Sequence, residues 1–232
     1  MRIADSVVFV TGANRGLGLA FAQAALARGA RKVYAAVRDP LRLAVPGLVP
    51  IRLDVTRPDE VAAAAREARD VTLLVNNAGV ARFGGFLAAD AEASVRDQLE
   101  VNFFGMLRTA QAFAPVLAAN GGGAMLNVLS IASWINRPQL GAYGATKSAA
   151  WALTNGLRHE LRAQGTQVTG LHMGFVDTDL ARDVPGPKTR PEDIVRIAFD
   201  GLEAGADEVL GDERTQAVKA SLASATAAYL QA

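Results

Sequence analysis

The sequence predicts a parallel α/β sheet that carries helices on both faces, and two observations lead to this prediction. Short runs rich in Val, Leu, Ile and Ala alternate with longer helical stretches along the 232 residues. The first run, from Val7 to Val10, shows no polar alternation, as expected for a strand that is buried on both faces. Because strand–helix alternation builds parallel sheets, we expect a single doubly wound sheet.

Seven segments have the composition of strands and six have that of helices. The predicted strands are residues 6–10, 32–37, 49–53, 71–76, 124–129, 167–172 and 208–210. The predicted helices are residues 16–28, 61–69, 91–118 and 143–163, a helix that Pro191 opens, and 214–230. Gly29 is a natural helix stop, and Thr56, with Asp59 three residues later, has the pattern of a helix N-cap.

Composition narrows the class of protein. A net charge of +1 gives no strong field that would attract nucleic acid or an anionic membrane. No apolar run approaches the roughly 20 residues of a membrane span, and no secretory signal is visible. The lack of cysteine excludes disulfides, and His159 and His172 lack the spacing of metal ligands. We therefore expect one cytoplasmic domain, residues 1–232, without a metal site.

A glycine-rich turn follows the first strand and opens the first helix. Gly12, Gly16 and Gly18 permit a tight turn and a close approach of the backbone to a phosphate group. The helix N-terminus adds unpaired N–H groups and the positive end of a dipole. Glycine spacing alone would fit an ordinary strand–helix turn equally well, but its place after the first buried strand favours a dinucleotide site in a Rossmann-type fold.

The end of the second strand predicts which dinucleotide binds. Sites for NAD(H) usually carry an acid there to bind a ribose hydroxyl, but this chain has Val37 at that point. Arg38 follows directly and Arg15 lies in the glycine turn, and guanidinium groups suit a dianionic phosphate. We therefore expect NADP(H) rather than NAD(H), although a small shift in the end of the strand would bring Asp39 to the ribose.

A tyrosine and a lysine on one helix face form the second informative pattern. Tyr143 and Lys147 are four residues apart, so their side chains share a face. A nearby ammonium favours a phenolate and should lower the tyrosine pKa, which suits acid/base work. Ser130 ends the fifth strand, where its hydroxyl can donate to a carbonyl oxygen, and Ser133 is the alternative for that role.

Taken together, these motifs resemble the classical short-chain dehydrogenases/reductases, and they occur in the same order. The matching residues are Thr11 to Gly18, Asp54-Val55, Asn76 to Gly79, Asn102, Ser130, Tyr143, Lys147 and Gly174 to Thr178. They span most of the chain. Two departures are Met173, where the family usually has proline, and a shorter segment after the second strand.

The resemblance implies a role for each matching residue. Tyr143 would be the general acid in carbonyl reduction and the base in the reverse direction. Lys147 would lower the tyrosine pKa and bind the nicotinamide ribose, Ser130 would polarise the carbonyl, and Asn102 would help to hold a water that relays protons. The residues implied to bind the cofactor are Gly12, Asn14, Arg15, Gly16, Leu17, Gly18, Arg38, Asp54, Val55, Asn77, Ala78, Gly79, Tyr143, Lys147, Val176 and Thr178.

The same resemblance suggests a substrate lid and a homo-oligomer. Residues 178–190 would form a short lid, and the two long alanine-rich helices would pair between subunits in a homodimer or homotetramer. The pocket walls are expected to be apolar, which would suit a hydrophobic ketone or aldehyde. These apolar residues would fit simple packing in the core or at an oligomer contact equally well. The expected wall residues are Trp134, Ile135, Pro138, Leu140, Phe83 and Phe86.

Several functions compete with the leading interpretation of an NADP(H)-dependent carbonyl reductase or alcohol dehydrogenase. Enoyl reductases usually separate the tyrosine and lysine by more residues than this chain does. A redox-sensing regulator that binds the dinucleotide without turnover often lacks one of the two, and both Tyr143 and Lys147 are present. A scaffold that keeps only the fold is the third alternative. Turnover of NADPH with a carbonyl substrate separates the enzyme from the last two.

Overall fold

A computed structural model describes residues 1–231 and contains a seven-stranded parallel sheet. The strand order is β3-β2-β1-β4-β5-β6-β7. Strands β2 and β3 are added on one side of β1 and strands β4 to β7 on the other, so the order reverses between β1 and β4. The strands are β1 (Val7–Thr11), β2 (Lys32–Val37), β3 (Leu48–Arg52), β4 (Leu73–Asn76), β5 (Ala124–Val128), β6 (Gln167–His172) and β7 (Glu208–Leu210). This arrangement confirms the predicted doubly wound, Rossmann-type sheet.

Helices cover both faces of the sheet, and each face has its own apolar core. The helices are α1 (Gly16–Ala27), α2 (Pro58–Glu67), α3 (Ala91–Leu99), α4 (Met106–Ala119), α5 (Gly141–Glu160), α6 (Pro191–Glu203) and α7 (Glu213–Ser221). On one face Phe21 of α1 meets Phe199 of α6, with ring centroids 5.3 Å apart. On the other, Phe9 of β1 meets Phe113 of α4 at 4.5 Å. Alternate strand residues feed the two cores, which explains the unbroken apolar runs.

Three helix predictions differ from the structure. The stretch 91–118, predicted as one helix, is α3, a π-helical segment at Glu100–Gly105, and α4. Helix α2 begins at Pro58 rather than being capped by Thr56, because proline suits the first helical position and the Thr56 hydroxyl donates to Asp54 instead. The closing helix ends at Ser221, well before residue 230. Within residues 1–231 no helix combines the length and apolarity of a membrane span.

Candidate active site

The carboxyl ends of the strands border a cleft of about 580 Å³, at the edge where open α/β sheets bind ligands. The predicted site residues that line this cleft are Gly12, Asn14, Arg15, Gly16, Leu17, Gly18, Arg38, Asp54, Val55, Asn77, Ala78, Gly79, Ser130, Tyr143, Lys147, Val176 and Thr178. Of the predicted set, Asn102 alone does not line the cleft and is buried behind it. The fold therefore gathers motifs that lie up to 166 positions apart on one surface.

The glycine turn leaves room that a side chain would fill. Gly12 and Gly16 have φ angles of 68° and 52°, in the left-handed region that glycine tolerates best. A Cβ atom added to Gly18 would lie 2.2 Å from the Gly12 carbonyl oxygen, so only glycine fits there. No side chain caps the N-terminus of α1, so its first N–H groups are available to an anion. This cradle fits the pyrophosphate of a dinucleotide.

Thr11 and Asn77 hold the ends of β1 and β4 together beneath that cradle. The Thr11 hydroxyl accepts hydrogen bonds from the backbone N–H groups of Asn77 and Ala78, both at 2.9 Å. The Asn77 side-chain amide donates to the Thr11 carbonyl oxygen, also at 2.9 Å. These bonds set the spacing of the two strands between which the chain reverses, so they fix the floor of the cleft.

The other end of the cleft, beyond β2 and β3, is rich in arginine. Val37 is buried at the end of β2, and Arg38 is exposed beside the cleft. The Asp39 carboxylate accepts from the Leu41 N–H and pairs with Arg42 at 3.0 Å, so it is already engaged within the protein. Arg42 also lines the cleft, a residue that the sequence patterns did not single out.

Segment 178–190, the predicted lid, contributes its first four residues, Thr178 to Ala181, to the lining of the cleft. Its base is tied by backbone hydrogen bonds, from the Asp177 N–H to the Thr189 oxygen and from the Thr189 N–H to the Phe175 oxygen, both at 2.9 Å. At its start, Asp179 pairs with Arg15 of the glycine turn at 2.6 Å and also with Arg182. These two arginines lower the pKa of the Asp179 carboxyl group. The segment is thus anchored to the cradle by an exposed ion pair.

Ser130, Tyr143 and Lys147 meet on the wall of the cleft nearest β5. Ser130 caps a short 3-10 turn, and its hydroxyl accepts a hydrogen bond from the Ala132 N–H at 3.1 Å. The Lys147 ammonium lies 5.8 Å from the centroid of the Tyr143 ring and donates to the Val128 oxygen at 2.9 Å. Ser133, the alternative hydroxyl, is buried, does not line the cleft and has no hydrogen-bond partner for its side chain within residues 1–231. The geometry therefore favours Ser130.

Burial controls the protonation of both ionisable groups. It raises the pKa of Tyr143, and the hydrogen bond with the Ser130 side chain opposes that rise. It lowers the pKa of Lys147 to about 8, because a buried ammonium loses its hydration. The direction for Tyr143 is opposite to the one expected from the ammonium alone, since in this structure desolvation of the phenolate is the larger effect.

Asn102 connects the π-helical segment to the loop after β4. Its side-chain oxygen accepts from the Val80 N–H, and its amide donates to the Val80 oxygen and to the Thr146 hydroxyl, each at 2.9 Å. Thr146 immediately precedes Lys147 on α5. The side chain of Asn102 therefore positions the segment beside Gly79 and the helix that carries the lysine. Its predicted part in a proton relay stays a prediction.

The predicted walls of the pocket are correct in part. Ile135, Leu140 and Phe83 line the cleft, whereas Pro138 and Phe86 do not. Trp134 also points elsewhere, because it stacks on His172 with ring centroids 3.9 Å apart. Further residues line the cleft although the sequence patterns gave them no place in the pocket wall; these include Phe175, Leu180, Arg137 and Arg214.

His172 belongs to a buried cluster behind Ser130. Its Nδ1 atom lies 3.1 Å from the Ser130 backbone oxygen, and its Nε2 atom lies 3.6 Å from Glu208. Glu208 accepts hydrogen bonds from the Trp151 indole N–H at 3.0 Å and from Lys219 at 2.6 Å. His172, Lys219 and Trp151 together hold the pKa of Glu208 at about 2. The cluster supports the backbone at Ser130, and within residues 1–231 no group of metal-ligating side chains was found.

Fold and site together define a Rossmann-type α/β protein in which a hydroxyl, a phenol and an amine face the cleft beside a glycine-rich cradle. Residues 6–188 match the family model described as short chain dehydrogenase. The chain therefore belongs to the short-chain dehydrogenase/reductase family of oxidoreductases, as its motifs predicted.

Individual relatives agree with this assignment. A short chain dehydrogenase from Burkholderia cenocepacia J2315, solved in complex with NADP, has 42% identity and a TM-score of 0.93, covering 97% of this chain and 95% of that one. A family member from Burkholderia phymatum, solved with NAD, has 25% identity and a TM-score of 0.84, covering 95% and 94%. A galactitol 2-dehydrogenase (L-tagatose-forming) from Cereibacter sphaeroides is 36% identical, over 82% of this chain and 78% of its own.

Proposed function

We propose that the protein is an NADP(H)-dependent oxidoreductase that interconverts a ketone or aldehyde and the corresponding alcohol, with Tyr143 as general acid/base. The observation that carries this proposal is the convergence of Ser130, Tyr143 and Lys147 on one wall of a cleft whose floor is the glycine cradle. A sensor or scaffold has no need of a buried lysine beside a half-buried phenol, and removing either group from water carries a desolvation cost.

In the proposed reaction the bound nicotinamide supplies or accepts the hydride, and the protein positions the reactants and moves the proton. The Tyr143 hydroxyl donates its proton to the carbonyl oxygen as negative charge develops there. The Ser130 hydroxyl donates a hydrogen bond to the same oxygen. The Lys147 ammonium favours the phenolate that remains and so opposes the effect of burial on the Tyr143 pKa.

The cofactor assignment rests on the β2 end of the cleft. Arg38 lines the cleft and has no carboxylate partner within residues 1–231, whereas Asp39 is held by Arg42. The NADP complex of the Burkholderia cenocepacia relative supports the same preference. We expect Arg38→Ala to weaken NADPH binding roughly tenfold or more and NADH binding much less, in a fluorescence titration. Equal losses for both cofactors would contradict the assignment.

Oxidation of NADPH at 340 nm with a panel of carbonyl compounds tests the activity. Tyr143→Phe should lose roughly a hundredfold or more of turnover while it keeps its affinity for NADPH, because only the proton donor is removed. Near-normal turnover in this variant contradicts the proposed role. Tight NADPH binding without turnover of any carbonyl by the wild type would favour the redox-sensing alternative.

Location and assembly follow from the same interpretation. We infer a cytoplasmic protein from its cysteine-free composition. A homodimer or homotetramer is proposed because the family usually pairs the long helices of this part of the chain between subunits, and because Phe104, next to α4, is 41% exposed. Light scattering on the purified protein tests the assembly, and a monomer at micromolar concentration would exclude it.

A further inference from the structure

Five arginines line the cleft, and they divide into two groups. Arg15, Arg38 and Arg42 lie at the glycine turn and beyond β2. Arg137 and Arg214 lie on other segments, and nothing in the proposed chemistry uses them. Arg137 belongs to the loop between β5 and α5, and Arg214 belongs to the first turn of α7, after β7.

The strand order places the second group at the opposite end of the cleft from the first. In the sheet β2 lies on one side of the β1/β4 reversal, whereas β5, β6 and β7 lie on the other. Ser130 follows β5, so Arg137 and Arg214 flank the side of the cleft where the reacting carbonyl is proposed to lie. They are therefore available to a substrate rather than to the distal ribose of the cofactor.

The charges of these two arginines are not compensated. Arg15 pairs with Asp179 and Arg42 pairs with Asp39, but within residues 1–231 neither Arg137 nor Arg214 has a carboxylate within 4.0 Å. Asp212, two residues before Arg214 in the chain, has a carboxylate that is already engaged. It accepts from the Gly174 N–H at 2.6 Å and from the Thr215 N–H at 2.8 Å.

Apolar side chains share this end of the cleft with the two arginines. They are Phe83, Ile135, Leu140, Phe175 and Leu180. An apolar wall with a small number of charged groups is how pockets combine affinity with orientation. Both arginines are exposed at the edge of the cleft, and a guanidinium group binds carboxylate or phosphate oxygens through two parallel hydrogen bonds.

We propose that the substrate is a carbonyl compound with an apolar body and an oxyanion group, a carboxylate or a phosphate, that Arg137 and Arg214 bind. This inference rests on the proposed function and names the substrate class of that site. It replaces the expectation of a hydrophobic ketone or aldehyde, which rested on the aromatic and aliphatic wall residues.

Steady-state kinetics with four matched ketones tests the proposal. The panel is an (ω−1)-keto acid, the corresponding (ω−1)-keto alkyl phosphate, the methyl ester of the acid, and an alkyl methyl ketone of the same length, each with NADPH. We expect kcat/KM to be roughly a hundredfold higher for at least one oxyanion substrate than for the two neutral ones, mostly through KM. Comparison of the acid with the phosphate identifies which oxyanion the site prefers.

Variants of the two arginines locate the effect. Arg137→Gln and Arg214→Gln should each lower the ratio of kcat/KM between charged and neutral ketones roughly tenfold. The matched control is Arg96→Gln, since Arg96 is exposed, pairs with Glu92 on α3 and does not line the cleft. Melting curves of all three variants check that they fold.

The outcomes separate this inference from the proposed function. Equal kcat/KM values for charged and neutral ketones, or an unchanged ratio in both variants, would overturn the oxyanion site while leaving the oxidoreductase activity standing. No turnover of any carbonyl compound would overturn both. A preference for the charged ketones that both variants reduce, and that Arg96→Gln keeps, supports the proposal.

Discussion

Replacement of Glu208 by Gln tests whether the cluster behind Ser130 stabilises the fold through charge. In the structure the Glu208 carboxylate accepts from Lys219 and Trp151 and lies 3.6 Å from His172. These groups lower its pKa from 4.5 to about 2. We expect Glu208→Gln to keep the bond to the indole, because the amide oxygen still accepts, but to lose the charge that Lys219 pairs with.

The pKa change sets the magnitude and the direction of the effect. A tenfold change in acid dissociation is about 1.4 kcal/mol, so a fall from 4.5 to about 2 corresponds to roughly 3 kcal/mol as an upper bound. The Glu208 side chain keeps 24% of its exposure, and the distance to His172 exceeds a hydrogen bond, so we expect about 1–2 kcal/mol. Since the folded pKa is depressed, this stabilisation is complete above pH 4.5 and disappears as the pH falls towards 2.

Urea unfolding followed by tryptophan fluorescence measures the effect of Glu208→Gln on the free energy of unfolding. The protein has two tryptophans, Trp134 and Trp151, and both contact this cluster. The free energy of unfolding should fall more between pH 7 and pH 3 for the wild type than for Glu208→Gln. The matched control is Glu92→Gln, which removes an exposed carboxylate from the surface of α3. Parallel pH dependence in wild type and Glu208→Gln would refute the reasoning.

Two further predictions concern the cleft. Gly18→Ala should lose its affinity for NADPH and roughly 1–3 kcal/mol of stability in a melting assay, because the new Cβ would lie 2.2 Å from the Gly12 oxygen. The control is Gly156→Ala on α5, whose Cβ meets nothing within 4 Å. This control should gain up to about 1 kcal/mol in the same assay. Lys147→Met should lose turnover yet unfold at equal or higher urea concentration at pH 7, because burial lowers the lysine pKa from 10.5 to about 8. Between pH 8 and pH 10.5 the unfolded chain binds more protons at Lys147 than the folded chain does, so wild-type stability should rise with pH in this range. The Lys147→Met variant should lack that rise. A variant that is less stable than the wild type at pH 7 would contradict this reasoning.

The sequence predicted the sheet well because its signal is unambiguous. Strands such as Val7–Thr11 are buried on both faces, which leaves a continuous apolar run bounded by glycine or polar residues. The position of the cleft followed as well, since the ends of parallel strands must meet at one edge. The motif residues of the site could be placed there before any side-chain geometry was known.

The end of the last helix and the place of Arg214 could not be predicted, because both depend on contacts between residues that local sequence patterns do not show. The last helix ends at Ser221 because that hydroxyl bonds back to Val218 and accepts from the Ala228 N–H, and Ser224 forms a local turn with Thr226. Alanine-rich composition alone predicts that the helix continues. Likewise, no local pattern marks Arg214 as a lining residue, because only the packing of α7 beside β7 brings it to the cleft.

The π-helical segment at Glu100–Gly105 determines where this part of the chain tolerates insertions and deletions. An additional residue in a helical turn rotates everything after it by about 100° relative to everything before it. In the continuous rod formed by α3, the π-helical segment and α4, helix α3 therefore packs one face against α5, whereas helix α4 packs a differently oriented face against α2, β4 and β5. Loss of a single residue here would restore a regular spiral but turn one of those faces towards water. Natural length variation in this rod should therefore be confined to its ends.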